Sequence, residues 1–299
     1  RAERLMRQAI KKDTRLKQKL YLCDETNWWA FLPEDRDLFA DYPRHLSVMI
    51  RQYPAELTDD EHVRFIPMSS LAVIQPENGG HLFDEWLESI GMQVNEASIL
   101  KLFHELFEPY FEICFRLFKL GMMPEIHGQN VLLVWKQGKV EGLLLRDHDS
   151  LRVHVPWLNV NDLEDPQYKL RPGVPESLYH RTPQSLLAYF QTLGVQVNSY
   201  AIIRSLSQVY GIREERLWCE LKSCLEQALC LSDLTVEVKS VLEDSLFSQQ
   251  QWPWKLLLRP LLKPRSKTPS SMPSGMAHTQ NPFIALANPQ QKEVIASAD

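Results

Sequence analysis

Residues 121–155 constrain the fold of this chain more than any other stretch, because two apolar runs here flank a turn sequence. The runs are residues 131–135 and 142–145, and the turn residues 136–139 that follow the first run include Gly138. A glycine that follows polar residues between two apolar runs is typical of a β-hairpin. The sequence therefore predicts a hairpin whose strands are joined through residues 136–139.

Polar side chains lie at the open end of this predicted hairpin. Asn130 precedes the first run and Asp147 follows the second, so pairing of the strands brings these two side chains close together. Glu125 and His127 lie on the loop that enters the first strand. Mg²⁺ binds few protein oxygens and completes its coordination with water and phosphate. The pattern therefore predicts a magnesium and nucleotide-phosphate site, with a buried hairpin edged by surface polar residues as the plain alternative.

Protein kinases also place a metal-binding Asn and a metal-binding Asp across a strand–turn–strand. The chain contains neither the His-Arg-Asp nor the Asp-Phe-Gly motif of those enzymes. A kinase-like phosphotransferase is therefore one alternative function, and the nucleotide product, AMP or ADP, distinguishes it.

The order of these polar residues closely resembles the IucA/IucC family, the siderophore synthetases that work independently of non-ribosomal peptide synthetases. Six positions agree with the family pattern at fixed spacing, namely Glu125, His127, Gln129, Asn130, Arg146 and Asp147. His148 departs from the aromatic residue that follows Arg-Asp in the family. Family members are about twice as long, and their N-terminal half carries a His-Pro-x-His-Pro-type motif. No His-Pro dipeptide occurs here, so the chain resembles the C-terminal half of a synthetase.

The resemblance implies an AMP-forming ligase that uses ATP and Mg²⁺. Such an enzyme adenylates a carboxylate of citrate or a related polyacid and condenses it with an amine or an alcohol. By this resemblance Asn130, Asp147 and Glu125 hold the metal, and His127 binds a phosphate or carboxylate oxygen. Arg146 is expected to pair with Glu125 or Asp149 and to keep the cluster rigid, since arginine stays protonated.

Two basic residues are candidates for the polycarboxylate substrate. The resemblance places one in the proline-rich segment 156–183, where Arg181 is preferred and Arg171 is the other candidate. The second is Lys255, in a Trp-Pro-Trp-Lys sequence similar to the C-terminal Lys…Arg segment of the family.

The rest of the pattern predicts an α+β fold that is mainly helical, with a small antiparallel sheet and a helical bundle. Strands are expected at residues 46–51 and 65–74, in one sheet with the hairpin. Apolar residues at helical spacing predict helices over 81–90 and 99–118, the second capped by residues 95–98 and ended by Gly121. Residues 148–154 alternate and are expected to be extended, so that Asp149 faces the same side as Asp147.

Residues 183–247 are also predicted to be helical, with breaks at Gly194 and Gly211 and a last helix capped at 232–234. The chain is expected to divide into a small α/β segment (1–75), a helical palm-like domain with the site (76–250) and a C-terminal segment (251–299). Residues 264–280 are rich in Ser, Pro and Lys and are expected to be mobile.

Composition narrows the class of protein. A net charge of −5, without a long basic stripe, argues against a nucleic-acid partner, and no apolar run is long enough for a membrane span. The five cysteines are odd in number and lack zinc-finger spacing, which predicts free thiols and a cytoplasmic protein. No metal role is expected for the cysteines or for the His104–Glu108 pair. A homodimer is the commonest assembly for such an enzyme.

Two further alternatives stay open. One is a non-catalytic protein of siderophore binding or iron release, which would need iron–sulfur cysteines near the C-terminus. The other is a purely structural helical domain, which would tolerate loss of Asp147 without losing any ligand.

Overall fold

A computed structural model of the chain describes residues 1–31, 34, 46–77, 79–170, 178–256 and 276–287. It has the predicted α+β fold, in which helices surround small sheets. One hydrophobic core includes Leu5, Phe107 and Phe283, and so draws residues from all three predicted segments of the chain. That division of the chain into segments stays a prediction. None of the described helices is long and apolar enough to cross a membrane.

The helices and strands are numbered in chain order. The helices are α1 (Ala2–Lys12), α2 (Thr14–Lys19), α3 (Ala55–Thr58), α4 (Leu82–Ser89), α5 (Glu96–Lys119), α6 (Val155–Val160), α7 (Pro183–Tyr189), α8 (Tyr200–Tyr210), α9 (Glu214–Leu231), α10 (Val236–Glu243) and α11 (Pro282–Ala287). The strands are β1 (Leu20–Leu22), β2 (Asp24–Ala30), β3 (Ser47–Gln52), β4 (Val63–Pro67), β5 (Met122–Met123), β6 (Val131–Lys136), β7 (Lys139–Leu145), β8 (Arg152–Val153), β9 (Gln251–Lys255) and β10 (Met276–Gln280).

The predicted hairpin is the centre of the main sheet, whose strand order is β1-β7-β6-β4. Strands β6 and β7 pair antiparallel, and Val131 faces Leu145 at the open end. At the other end Gln137 and Gly138 have φ angles of 48° and 85°. Two successive positive φ angles match the right-handed twist of paired strands, which is why a two-residue turn can join them here.

The prediction of one antiparallel sheet is wrong in two details. Strand β4 does pair antiparallel with β6, but β3 pairs with β2 in a separate two-stranded ribbon. Strand β1 joins the main sheet parallel to β7. Every residue of β3 is exposed, and Trp28 and Trp29 of β2 are exposed too, so this ribbon has no face in the core. Alternation in the sequence indicated a strand without indicating its partner.

Helix α5 is the long predicted helix and crosses the core. Asn95 and Ser98 form a capping box at its start, and Gly121 follows its end with a φ of +83°. A Cβ on Gly121 would lie 2.8 Å from the backbone nitrogen of Leu158, so glycine also permits close packing there. Aromatic side chains fill the buried face of α5, namely Phe103, Phe107, Tyr110, Phe111, Phe115 and Phe118. The buried helix therefore fixes the position at which the following loop, which carries Glu125, begins.

The two predicted glycine breaks in residues 183–247 have different outcomes. Gly211 ends α8 with a φ of +68°, as expected. Gly194 instead lies inside a π-helical segment, Phe190–Ser199, which joins α7 to α8. A Cβ at this position would come within 2.7 Å of Ile126 Cδ1. Glycine is therefore present for close packing beneath the loop that carries the site, and the helix continues through it.

Two predictions on the C-terminal part need correction. Thr235 caps α10, whereas the Ser232 hydroxyl is already used in donating to the Ala228 carbonyl at the end of α9. Residues 276–280 form β10, which pairs antiparallel with β9. The buried Asn281 side chain then ties the chain to the carbonyl of Leu246. The remainder of the segment predicted to be mobile lies outside the described residues.

A buried ion network joins the N-terminal helices to α5. Arg116 donates to Asp13 at 3.0 Å and to Glu112 at 2.9 Å, and Arg15 donates to both oxygens of Glu112. Burial alone would raise the pKa of Glu112, but the hydrogen bonds and charges of Arg15 and Arg116 hold it below its ordinary value. The pKa of Asp13 is lowered against burial by Leu16 N–H and Arg116 in the same way.

We expect Arg116→Leu to lower the free energy of unfolding at neutral pH by about 3–5 kcal/mol, because buried Asp13 loses its hydrogen-bonded arginine and buried Glu112 keeps only Arg15. Urea denaturation measures this change. Since the pKa values of Asp13 and Glu112 are lowered by folding, their ionised forms stabilise the chain above the ordinary carboxyl range. That contribution is lost as the pH falls through the lowered values, so the difference between variant and parent should shrink in acid.

The matched control is Arg204→Leu, which removes the exposed ion pair of Arg204 with Glu214. Water and salt screen such a pair, so little change is expected. Equal destabilisation by the two variants would show that the buried network has no special role in stability.

Candidate functional site

The open end of the hairpin brings Asn130 and Asp147 together, as predicted. Val131 and Leu145 are the last pair of the ladder, and the Arg146 N–H then donates to the Asn130 carbonyl at 3.1 Å. The Asn130 N–H donates to the His127 carbonyl at 2.9 Å, so the entering loop is tied to the same point. These backbone bonds place His127, Asn130 and Arg146 around one end of the sheet.

Asp147 has a left-handed backbone, with φ 66° and ψ 58°. A one-turn 3₁₀ helix, His148–Ser150, follows it, so the prediction of an extended stretch from residue 148 is wrong. The reason is the carboxylate of Glu25, which accepts the N–H of Asp147 at 2.6 Å and that of His148 at 3.0 Å. A single carboxylate can accept two successive N–H groups only where the backbone turns sharply. This turn sets the direction of the Asp147 side chain.

Arg51, at the end of the exposed ribbon, completes this arrangement. Its guanidinium donates to Glu25 at 2.7 Å and lies 3.0 Å from the Asp147 carboxylate. Burial would raise the pKa of Glu25, but the two N–H groups and Arg51 outweigh burial and lower it. Glu25 is thus a buried carboxylate that stays ionised. Sequence reasoning missed both residues, because Glu25 and Asp147 are 122 positions apart and no local pattern links them.

Further carboxylates surround the same point. Desolvation raises the pKa of Asp149, and the negative charges of Asp147, Glu25 and Glu125 add to this effect. Glu125 accepts a hydrogen bond from the Ser150 hydroxyl at 3.0 Å. Asp149 is therefore close to the predicted metal ligands, although through a turn and not through an extended strand. Carboxylates gathered in this way repel one another and favour a bound cation.

The Asn130 side chain is 3% exposed, and its Nδ2 has no hydrogen-bond partner among the described residues. Buried polar groups in proteins are nearly always paired, and an unpaired one needs an explanation. A polar ligand at the hairpin end, such as a hydrated cation or a phosphate, would supply the missing partner. The other polar groups at this point are carboxylate oxygens, which are the ligands that Mg²⁺ prefers. The residues present therefore fit a magnesium–phosphate site.

His127 and Arg146 lie at the rim of this cluster. His127 Nδ1 accepts the Gln129 N–H at 3.3 Å, which directs Nε2 away from the loop. Arg146 Nε donates to the Gln129 carbonyl at 2.9 Å. The predicted pairing of Arg146 with Glu125 or Asp149 does not occur in the described part of the chain. Because the Arg146 backbone pairs with Asn130, its side chain lies beside the entering loop and bonds the Gln129 carbonyl there and not a carboxylate.

Arg152 is the arginine that faces Glu125, and sequence reasoning missed it. It is 5% exposed, stacks 3.7 Å above the Tyr189 ring centre, and lies 3.9 Å from the Glu125 carboxylate. Its Nε has no partner among the described residues. Lys255 comes to the same place on β9. Desolvation lowers the pKa of Lys255, the charge of Arg152 lowers it further, and Glu125 opposes both. Arg152 and Lys255 thus form a basic pair beside the acids.

Arg181, the predicted substrate residue of the proline-rich segment, is not in contact with Arg152 or Lys255 in the described part of the chain. Arg181 is exposed and lines a surface pocket with Val155, Tyr179 and Thr182. No contact joins Arg181 to the carboxylates within the described ranges. Arg171 lies outside the described residues. The substrate role of Arg181 stays a prediction.

Three comparisons relate this chain to known proteins. Residues 101–269 match the family model described as "Ferric iron reductase FhuF-like transporter". Staphyloferrin B synthase of Staphylococcus aureus (strain NCTC 8325 / PS 47) is 34% identical over 283 residues, which are 95% of this chain and 47% of that protein.

Two similar solved structures share the fold at low identity. The petrobactin biosynthesis protein AsbB of Bacillus anthracis str. Sterne has a TM-score of 0.72 and 17% identity, over 98% of this chain and 47% of its own. ATP-bound aerobactin synthetase IucA of a hypervirulent Klebsiella pneumoniae pathotype has a TM-score of 0.64 and 16% identity, over 94% and 48%.

The chain spans about half the length of these relatives. The matched family model covers more than half of the chain, from the second turn of α5 to beyond β9. The resemblance predicted from the hairpin residues is confirmed by the similarity to a siderophore synthase over nearly the whole chain. The chain therefore belongs to the FhuF-like family and is a relative of the IucA/IucC siderophore synthetases, consistent with their C-terminal half.

Proposed function

We propose that this chain supplies the metal and phosphate side of the ATP site in an AMP-forming ligase of siderophore biosynthesis. The observation that carries the proposal is the convergence of Asn130, Asp147 and Glu125 at the open end of the hairpin. The relation to a staphyloferrin B synthase and the fold shared with an ATP-bound aerobactin synthetase support it.

Each residue of the cluster has a role in this proposal. Asp147, Glu125 and the Asn130 amide oxygen would hold the Mg²⁺, whose charge would offset the negative charge on the phosphates as pyrophosphate leaves. Glu25 and Arg51 keep the Asp147 turn in place and do not touch the ligand. His127 and Arg146 lie at the rim, where each can donate to a phosphate oxygen.

We propose the basic pair of Arg152 and Lys255 as the site for the carboxylates of a citrate-like polyacid. Arg152 forms an ion pair with Glu125. Lys255 is partly buried, and this desolvation lowers the pKa of its ammonium group. An anion beside Lys255 would restore the favourable environment of its ammonium group. The activated carboxylate would then be attacked by an amine or an alcohol. Arg181, on a separate surface pocket, is a secondary candidate for contacting the substrate.

We further propose a cytoplasmic protein that acts as a homodimer, without nucleic-acid or membrane partners. The five cysteines are free thiols, which suits a reducing compartment. The net charge of −5 is unfavourable for binding nucleic acid.

The matched FhuF-like family favours one second candidate, a role in releasing iron from ferric siderophores. An iron–sulfur cluster is usually held by four thiolates that face one point. Here Cys23 and Cys114 are buried, and Cys219, Cys224 and Cys230 lie along α9 with only Cys224 buried. These cysteines do not converge, so the ligase is the better-supported function. Release of pyrophosphate and AMP would identify the ligase, and ADP would indicate a kinase-like reaction.

We expect the chain to bind Mg·ATP in calorimetric titration and Asp147→Ala to abolish the binding, because the variant removes a charged metal ligand. Asp60→Asn is the matched control. Asp60 pairs with Lys136 at 2.6 Å at the turn end of the same hairpin, far along the strands from Asp147. Undiminished binding by Asp147→Ala would exclude the hairpin end as the metal site. No binding by the parent chain would show that this part does not hold Mg·ATP by itself.

We expect Lys255→Met to raise the dissociation constant for citrate about tenfold or more, since it removes a partly buried cation from the carboxylate site. Calorimetric titration of citrate measures this change. Lys239→Met, which removes an exposed cation from α10, is the control and should leave binding unchanged. Equal affinities for all three chains would remove Lys255 from the substrate site.

A further inference from the structure

A second cluster of potential metal ligands lies between α5 and α9, on helices that pack side by side along the bundle. His104 is on α5, and Glu220 and Cys224 are on α9. One atom from each of the three residues lies within 4.8 Å of the other two. The His104 Nδ1 is 2.9 Å from a Glu220 oxygen and 3.4 Å from Cys224 Sγ.

The neighbouring hydrogen bonds determine which histidine nitrogen carries a proton. Gln227 Nε2 donates to Glu108 at 2.5 Å, so the opposite end of the same amide, Oε1, faces His104 Nε2 at 2.8 Å. An amide oxygen only accepts, and Nε2 must therefore donate. The Nδ1 lone pair is then free to point at Glu220 and Cys224. Metal-binding histidines are typically oriented in this way, through a carbonyl or carboxylate on the other nitrogen.

A lone pair that faces a carboxylate oxygen at hydrogen-bond distance needs something positive between the two. A proton could fill this position, as could a metal cation. The ligand types favour the cation. An imidazole nitrogen, a carboxylate oxygen and a thiolate are the set that Zn²⁺ prefers. Cys224 is buried, while His104 and Glu220 are partly exposed, which leaves a route for entry and a fourth position for water.

We propose that His104 Nδ1, a Glu220 carboxylate oxygen and Cys224 Sγ bind one zinc-class transition-metal cation that cross-links α5 to α9. Ligand atoms on a tetrahedral zinc are separated by roughly 3.3–3.7 Å, given bonds of about 2.0–2.3 Å. The His104–Glu220 separation of 2.9 Å lies below that range, the His104–Cys224 separation of 3.4 Å lies within it, and the third is no more than 4.8 Å, so the three atoms are close enough to share one cation. Binding converts the Cys224 thiol to a thiolate and releases one proton to solvent.

The proposed zinc site is independent of the proposed ligase site. Its nitrogen and sulfur ligands are softer than the oxygens around Asp147, so the two sites select different metals. It also revises the expectation from the sequence, where His104 was paired only with Glu108 and the cysteines were given no metal role. The residues are 116–120 positions apart, and only the packing of α5 on α9 brings them together.

Titration of the metal-free 299-residue chain with Co²⁺ tests this proposal, because Co²⁺ occupies zinc sites and is coloured. We expect one Co²⁺ per chain, a thiolate-to-cobalt charge-transfer band in the near ultraviolet, and visible bands typical of tetrahedral coordination. Zn²⁺ should displace the Co²⁺ and bleach these bands. Cys224→Ser should remove the charge-transfer band, and His104→Gln should weaken Co²⁺ binding at least tenfold.

Cys219→Ser is the matched control, since Cys219 is an exposed thiol on the same helix. It should keep both the band and the affinity. Circular dichroism of each variant without metal checks that the helices remain folded. His104→Gln changes a partly exposed side chain and keeps the test valid if Cys224→Ser does not fold. Absence of the band in the parent chain, or its survival in Cys224→Ser, would show that the three residues do not bind a metal together and that a proton lies between His104 and Glu220.

Discussion

The carboxylate of Glu25 is the group on which the arrangement of this molecule depends most. Its Oε1 accepts both the Asp147 N–H and the Arg51 guanidinium, and its Oε2 accepts the His148 N–H. A buried charge of this kind is stable only when it is hydrogen-bonded, and here the partners come from two distant parts of the chain, β3 and the turn after β7. The N-terminal segment, the ribbon and the hairpin are thereby fixed to each other at one point, and the left-handed turn at Asp147 is a result of that fixation.

This construction separates the residues that shape the cluster from those that can contact a ligand. Glu25 pairs with Arg51 and with the backbone, while the Asn130 Nδ2 has no partner among the described residues and the neighbouring negative charges raise the pKa of Asp149. A rigid support around incompletely satisfied groups is the arrangement expected of a preorganised binding site. Arg152 shows the same arrangement, since the Tyr189 ring and Glu125 hold its guanidinium while its Nε has no partner within the described ranges.

The sequence predicted the hairpin, the long helix α5 and the residues at the open end of the hairpin, because each of them is encoded by local signals. Turn residues, helical spacing and a short motif lie within a few positions of one another. It did not reach Glu25, Arg51 or Arg152, whose partners are distant in sequence and whose type alone suggests an ordinary surface charge. The parallel docking of β1 was missed for the same reason, since it depends on Gly142, where a Cβ would meet the Lys19 carbonyl at 2.3 Å. Non-local contacts of this kind have no period or spacing to read.

The ribbon of β2 and β3 has a consequence for the behaviour of the chain in solution. Trp28, Trp29, Val48 and Ile50 are exposed on this pair of strands, and no described helix covers them. Salts that strengthen the hydrophobic effect act first on such surfaces. The colloidal stability of this chain, and the concentration at which salt precipitates it, will therefore be governed by the ribbon and not by the charged groups at the hairpin mouth.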